Sequence, residues 1–272
     1  VLHGPFGEDG TVQGMLALHD LPCVGSGCAA SAVAMDKLRT RQVLAAAGIP
    51  LAKAYEPGTP LRRADAAVEF AAMQRAIGTP AFVKVDASGS THGVQRVTNE
   101  ADLRRFLDEF RHGFRRWFAE QAVRGEEITV PVLGNTGDRL QALPPVGIYP
   151  KVDTWFTHEA KYRVGGSEEV VPPRGLSPAQ IAHVQSLAMR CHEALVCDGM
   201  SRTDMIVTEH GPIVLEVNTI PGLTRTSLLP QSAAAAGLSF SQLLDRLLDL
   251  ALTRPTDAAL GADGTATGGA EA

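Results

Sequence analysis

The chain has 272 residues, of which 44% are hydrophobic and 20% are charged, and its formal net charge is −5. These values are typical of a globular protein of one or two domains that buries most of its apolar surface without disulfides. The acidic balance excludes a global basic field for nucleic acid, and no apolar run approaches the roughly 20 residues of a membrane-spanning helix.

Helices and short strands alternate in the first half of the chain. Helices are predicted after Asp9, over residues 31–48 and over residues 65–77, because apolar residues recur there with helical period. Strands are predicted at the end of residues 1–3 and in "PCVGSG", "LAKAYEP", "AFVKV" and "VQRV". The last two flank the glycine-containing loop "DASGSTHG".

Several consecutive strands occupy the middle of the chain. "EADLRRFLDEFRHGF" predicts an amphipathic helix, and "WFAEQAV", "EEITVPVLG" and "LQALPPVGIYP" predict strands. Residues 151–175 show neither the helical nor the strand period of apolar residues. A loop that long is usually functional or disordered. A helix over 177–195, two strands and two closing helices follow, and residues 253–272 predict a disordered tail. The order predicts an α/β (mixed α+β) fold.

The stretch "SRTDMIVTEHGPIVLEVNTIPG" places charged side chains inside two predicted strands. A three-residue turn centred on His210 puts Asp204 opposite Glu216, with Arg202 and Asn218 as the next pair on the same face. Oxygen donors of this kind suit Mg²⁺ or Mn²⁺, and the arginine suits a phosphoryl group or the neighbouring acids. The alternative is a solvent-facing hairpin with ordinary cross-strand charge pairs.

Two loops add candidate anion-binding groups. Lys84 ends a strand before "DASGSTHGV", in which Gly89, Gly93 and the hydroxyl of Ser90 can approach an anion. A plain Gly/Ser hairpin turn is the alternative. Farther on, "TIPGLTRTSLLP" enters a helix at Ser227, a candidate N-cap where exposed N–H groups can hold a carboxylate.

Several motifs in fixed order resemble the D-alanine–D-alanine ligases of the ATP-grasp superfamily. They are "HGPFGEDGTVQG", "GSGCAASAVAMDKLRTRQVLAAAGIP", "GEEITVPVLG", "HEAKY" and the two-strand stretch that continues into "TIPGLTRTSLLP". The resemblance covers about residues 1–252. It implies an ATP-grasp fold with a partial N-terminal α/β domain.

The resemblance also implies the reaction. ATP would phosphorylate the carboxylate of one D-alanine, and the amine of a second D-alanine would attack this acyl phosphate to give D-alanyl-D-alanine for peptidoglycan. Two Mg²⁺ (or Mn²⁺) ions would neutralise the phosphate charge. A homodimer is implied as the assembly.

Individual residues receive roles from the same resemblance. ATP contacts are implied for Lys37, Lys84, Glu120, Glu127 and Lys161, and metal binding for Asp204, Glu216 and Asn218. Catalytic roles are implied for Arg202 at the transferred phosphoryl group, Gly222 at the oxyanion, and Ser90 and Tyr162 in closing the site. Contacts with the second D-alanine are implied for Ser227 and Leu228.

Departures from the family pattern keep alternatives open. Val85 follows Lys84 where the family usually has proline, and His158 stands where a tyrosine is common. A related carboxylate–amine ligase with another second substrate, such as D-lactate or D-serine, is one alternative. An ATP-binding protein without turnover is the other, and amino-acid-dependent phosphate release distinguishes the two.

Domain organisation and location complete the expectations. Residues 1–30 are predicted as the end of an N-terminal substrate domain and 31–252 as the ATP-grasp domain. Because the chain starts at Val1, it is predicted to be N-terminally incomplete. The four cysteines lack zinc-site spacing, and free thiols without a visible signal peptide favour the cytoplasm. ATP and D-alanine are the expected partners, with no nucleic acid and no membrane.

Overall fold

A computed structural model describes residues 2–86, 93–150 and 167–254. Within these ranges the chain forms two antiparallel β-sheets and eight α-helices, so the predicted mixed α/β class is confirmed. No helix in the described ranges is long and apolar enough to cross a bilayer.

Side-chain caps start five of the helices. Asp36, Asp65 and Asn99 each accept a backbone N–H from the first turn, and Ser177 and Ser239 form complete capping boxes. The helices are α1 (Thr11–Leu18), α2 (Cys28–Met35), α3 (Lys37–Ala46), α4 (Ala66–Ile77), α5 (Glu100–Phe110), α6 (Pro178–Ala194), α7 (Leu228–Ala235) and α8 (Phe240–Thr253), with a 3₁₀ turn at Leu61–Arg63.

The strands form one small and one larger sheet. The small sheet has the order β1-β4-β2-β3, and the larger one has the order β10-β9-β5-β7-β8 with β6 paired to β5. The strands are β1 (Ala54–Tyr55), β2 (Ala81–Val85), β3 (Val94–Val97), β4 (Trp117–Gln121), β5 (Glu126–Leu133), β6 (Gln141–Ala142), β7 (Val146–Pro150), β8 (Ser167–Val170), β9 (Met200–Thr208) and β10 (Gly211–Asn218).

The small sheet is covered on one side by α4 and α5. The apolar stripe of α5 buries Phe106 and its neighbours against Val83 and Trp117. Replacing a fully buried phenylalanine such as Phe106 by alanine typically costs about 3–5 kcal/mol. Because side chains alternate along β2, Phe82 and Lys84 point to the opposite face, which stays available for a site.

The larger sheet packs against α6 and α3. Alternate residues of β5, β9 and β10 form this core, and it includes Cys191 and Cys197, both fully buried. The two thiols therefore act as small core side chains. A third cluster joins α7 and α8 to Leu133, Met200 and Ile220.

The structure corrects four local predictions. Residues 31–48 do not form one helix, because Asp36 is extended, caps α3 and separates it from α2. Residues 2–3 and "PCVGSG" form no strand. The segment 151–175 was expected to lack strand structure, yet Ser167–Val170 pairs with β7. Residues 151–166 and the predicted tail from 255 onward lie outside the described residues.

Candidate functional site

The hairpin of β9 and β10 brings the predicted acids together. Glu216 pairs with Asp204 and Asn218 pairs with Arg202, as the sequence predicted. The predicted turn was wrong, however, because Thr208 pairs with Gly211 and leaves only two turn residues. A β-bulge at Leu215 shifts the later register by one residue and restores the pairing of the two acids.

Asp204 is buried and surrounded by donors. Arg202 donates from Nε to Oδ1 at 2.9 Å and from a terminal nitrogen to Oδ2 at 3.0 Å. Thr129 on β5 donates its hydroxyl to Oδ1 at 2.5 Å. This bidentate arginine contact offsets the cost of burying the carboxylate and fixes its orientation.

The other two predicted ligands lie closer to solvent. The Glu216 side chain is 42% exposed, and its Oε2 lies 3.5 Å from Nζ of Lys37. Asn218 accepts the backbone N–H of Ile220 through Oδ1 at 2.8 Å, which turns the chain after β10. Lys37 thus joins the start of α3 to the acid hairpin, which is the pair of strands β9 and β10 with Asp204 and Glu216.

The donor set fits a magnesium-type ion. Asp204, Glu216 and Asn218 offer only oxygen donors, which Mg²⁺ and Mn²⁺ prefer. The described residues contain no group of three or more His, Cys, Asp or Glu side chains arranged for a metal. Two carboxylates and one amide suit an ion that completes its coordination with water and substrate phosphate.

Glu120 forms a second polar centre on the small sheet. It is only 3% exposed, and both of its carboxylate oxygens are engaged. Arg41 donates to Oε1 and Lys84 donates to Oε2. Arg41 also donates to the carbonyl of Ala52 at 2.7 Å, so it ties α3 to β4 and to the segment before β1.

Arg41 is a site residue that the sequence analysis missed. It lies one helical turn after Lys37 on α3, so both side chains face the same side of that helix. This spacing was the available signal. Its partner Glu120 is 79 residues away along the chain, which no local pattern reveals.

A cleft of about 150 Å³ between the two sheets is lined by six of the predicted site residues. Apolar side chains from both sheets, among them Phe82 and Ile206, form its walls, and charged groups are set into them. A flat heteroaromatic ring with a phosphate chain matches such a lining. The predicted residues that line it are Lys37, Lys84, Glu120, Glu127, Asp204 and Glu216.

The predicted acceptor residues lie on the loop that follows β10. Ser227 stands at the N-cap of α7, and Leu228 begins that helix. The expected capping bond is not made, because Ser227 Oγ instead accepts the N–H of Thr224 at 3.1 Å. A Cβ on Gly222 would lie 2.7 Å from Ser227 Oγ, so the two residues are in close contact. Neither Ser227 nor Leu228 is among the residues lining the 150 Å³ cleft.

Three predicted residues cannot be placed in this geometry. Ser90, Lys161 and Tyr162 lie outside the described residues. Their roles remain predictions.

Comparisons with known proteins agree on one family. The family model described as "D-ala D-ala ligase C-terminus" matches residues 43–249. The D-alanine–D-alanine ligase of Syntrophobacter fumaroxidans is 45% identical over 253 residues, covering 93% of this chain and 79% of that protein.

Solved structures give the same result. The Bacillus anthracis D-alanine–D-alanine ligase complexed with ATP is 31% identical, with a TM-score of 0.77 and coverage of 92% of this chain and 77% of that one. The VanG D-Ala:D-Ser ligase of Enterococcus faecalis is 30% identical, with a TM-score of 0.78 and coverage of 92% and 71%.

Proposed function

This chain belongs to the family of D-alanine–D-alanine ligases, and we propose that the steps of the family's reaction fall to the residues of its inter-sheet cleft, of the β9–β10 hairpin and of the loop after β10. The protein is an ATP-dependent ligase that joins two D-alanine molecules for cell-wall synthesis. Its two antiparallel sheets with a cleft between them are the ATP-grasp fold. The observation that carries the residue assignment is the facing pair Asp204 and Glu216 beside Lys37.

ATP binds between the sheets in this proposal. The apolar walls enclose the adenine, and Glu120 accepts a hydrogen bond from its amino group. Lys84, now paired with Glu120, lies close enough to exchange this contact for phosphate or the base edge. Arg41 holds Glu120 in position while Lys84 changes partner. Glu127 would receive the ribose hydroxyls, because it lines the same cleft.

The acid hairpin binds the ATP phosphates through a metal ion in this proposal. We propose that Asp204, Glu216 and Asn218 hold Mg²⁺ or Mn²⁺, whose charge would stabilise the phosphates as negative charge shifts during transfer. Lys37 adds a positive charge next to Glu216. Arg202 is held in place by both oxygens of Asp204, and so it is preorganised to face a transferred phosphoryl group.

The loop after β10 receives the second amino acid. The close contact of Gly222 with Ser227 fixes a bare backbone N–H and a hydroxyl at the entry of α7. These groups suit the carboxylate of an amino acid and the oxyanion that forms when its amine attacks the acyl phosphate. Leu228 would supply an apolar contact next to them.

D-serine is the other candidate for the second substrate. The D-Ala:D-Ser ligase matches this chain as well in structure as the D-alanine–D-alanine ligases do. Competition between D-alanine and D-serine as second substrate, followed by analysis of the dipeptides, decides between them. A D-alanyl-D-serine product in excess at equal concentrations would favour the second candidate.

Phosphate release from ATP tests the assignment. The full-length protein with Mg²⁺ and D-alanine should release phosphate, and Asp204→Asn and Glu216→Gln should each reduce kcat at least about a hundredfold, because charge neutralisation at the phosphates is lost. Asp245→Asn and Glu109→Gln are matched controls, since both residues are exposed and lie outside the cleft lining. Equal rates in the two pairs would refute the assignment.

We also propose a cytoplasmic homodimer. The reaction consumes ATP, and the four cysteines are unpaired, which suits a reducing compartment. Light scattering of the full-length protein should give twice the chain mass. A monomer mass across the working concentration range would contradict the dimer.

A further inference from the structure

A second, larger cavity of about 860 Å³ opens beside the small sheet. It is bounded by the start of α3, the segment after β1, the 3₁₀ turn, and the connection from α5 to β4. No residue lines both this cavity and the nucleotide cleft. The two cavities are therefore lined by different residues.

Arginines dominate the charged lining of this cavity. Five arginines and one histidine face three acids, although the whole chain is net acidic. The arginines come from three separate parts of the chain. They are Arg39, Arg62, Arg111, Arg115 and Arg116, with His112; the acids are Asp36, Glu56 and Asp86.

The acids do not neutralise these arginines evenly. Asp36 and Asp86 both bind Arg116, at 2.5 Å and 2.7 Å. Arg111 pairs with Asp108, which lies outside the cavity lining.

Three arginines and one acid, Glu56, are left over, so positive charge is still in excess. Within the described ranges, the side chains of Arg39, Arg62 and Arg115 form no ion pair with a carboxylate; the Arg39 guanidinium donates to the neutral amide of Gln42. Guanidinium groups that share a cavity repel one another, and a bound anion relieves that repulsion. The excess positive charge therefore points to an anionic ligand.

Trp117, part of the cavity wall, has a hydrogen-bond donor that no described residue satisfies. The indole is 1% exposed and lines the cavity, and its buried Nε1 has no hydrogen-bond partner among the described residues. A buried donor without a partner costs about 1–3 kcal/mol, so such groups are usually satisfied by protein, water or ligand. Thr59 adds a hydroxyl to the same lining.

We propose that this cavity binds a small organic molecule carrying two or more phosphate groups. Arginine is the side chain best suited to phosphate, because its planar fork binds two oxygens at once. A single orthophosphate would leave most of the volume to water, whereas the cavity lies within the size range of small-molecule sites. Phe114 provides an apolar surface for the organic part.

Titration calorimetry with fructose 1,6-bisphosphate tests the proposal. The full-length protein is first saturated with a non-hydrolysable ATP analogue and Mg²⁺, so that the nucleotide cleft is filled. The bisphosphate should bind, and fructose 6-phosphate should bind at least about tenfold more weakly, since it offers one phosphate to the arginines. Equal affinity of the two sugars, or no binding of the bisphosphate, would overturn the proposal.

Charge-matched variants separate a built site from general attraction. Arg62→Gln with Arg115→Gln should weaken bisphosphate binding at least about tenfold. Arg104→Gln with Arg105→Gln removes the same charge from the exposed side of α5, outside the cavity, and should change the affinity less than about twofold. All four side chains are exposed, so both variants should fold. Equal losses in the two variants would show diffuse attraction and contradict the proposal.

Tryptophan fluorescence tests whether the bisphosphate binds next to Trp117. The chain has two tryptophans, so Trp155→Phe leaves Trp117 as the only indole. Its emission should change on addition of the bisphosphate to the nucleotide-saturated protein. Binding detected by calorimetry without a change in Trp117 emission would place the ligand elsewhere and overturn the proposal.

Discussion

Asp204 and Glu216 face each other across the β9–β10 ladder because a bulge at Leu215 inserts one residue between the turn and the acid. Without the bulge, the two-residue turn would pair Asp204 with Leu215 and Glu216 with Thr203. Glu216 would then point into the core where Val217 now packs. The bulge keeps the valine buried and turns the acid towards the cleft.

The Thr129 hydroxyl should increase the affinity of the site for Mg²⁺. Thr129→Val removes the hydrogen bond to Asp204 while keeping the shape, so the Mg²⁺ concentration for half-maximal activity should rise about tenfold or more. The measurement is activity against Mg²⁺ at saturating ATP. Thr203→Val is the control, because that residue lies on β9 but faces away from Asp204, and it should leave the Mg²⁺ dependence unchanged. A similar shift in both variants would contradict this role.

Arg41 should position Glu120 for the nucleotide. Arg41→Ala leaves a buried carboxylate with Lys84 as its only described ion-pair partner, so KM for ATP should rise at least about tenfold with a smaller effect on kcat. Arg41→Lys should recover part of the loss, since it keeps one charged donor. Arg246→Ala, an exposed change on α8, serves as control. An unchanged KM in Arg41→Ala would contradict the positioning role.

Gly222 should be required for the acceptor loop. A Cβ there would lie 2.7 Å from Ser227 Oγ, so Gly222→Ala should displace the loop and lower kcat/KM for D-alanine about tenfold, without changing nucleotide affinity. Adding Ser227→Ala removes the clashing oxygen but also a proposed ligand group, so it should not restore the rate. Gly113→Ala meets no atom within 4 Å and should be neutral. Weakened ATP binding in Gly222→Ala would contradict a local effect.

His192 should make the fold sensitive to acid. Burial lowers the pKa of His192 from 6.5 to about 4, while Ser201 and the carbonyl of Gly134 contact its two ring nitrogens. The unfolded chain takes up this proton near pH 6.5 and the folded chain only near pH 4. The contribution of the neutral ring is therefore complete above pH 6.5 and is lost as the pH falls towards 4, by up to about 3 kcal/mol.

Denaturant unfolding between pH 7 and pH 4 measures this loss. His192→Gln should flatten the dependence over that interval even though it lowers stability overall. His183→Gln on the exposed side of α6 should leave the curve unchanged. A curve that keeps its slope in His192→Gln would assign the acid sensitivity to other groups.

Much of the local structure follows from the sequence. The strands "AFVKV" and "VQRV" occupy the predicted residues, and the capping box at Ser177 begins α6 where the sequence placed it. These features depend on neighbouring residues only: alternation for a strand, and a hydroxyl with a glutamine three residues later for a helix start. The same alternation identified the oxygen donors of the acid hairpin, and the motif order identified the family.

Contacts between distant segments were decided only by the tertiary structure. Arg116 binds Asp36 from 80 residues away, where that aspartate separates α2 from α3. Arg41 reaches Glu120 across 79 residues. The sequence predicted the correct pairing of Asp204 with Glu216 from a wrong turn. The observed turn is one residue shorter than predicted, and the bulge adds one residue, so the two shifts in register cancel. Register is set by which side chains the core can bury, and that requires the packed sheet and helices together.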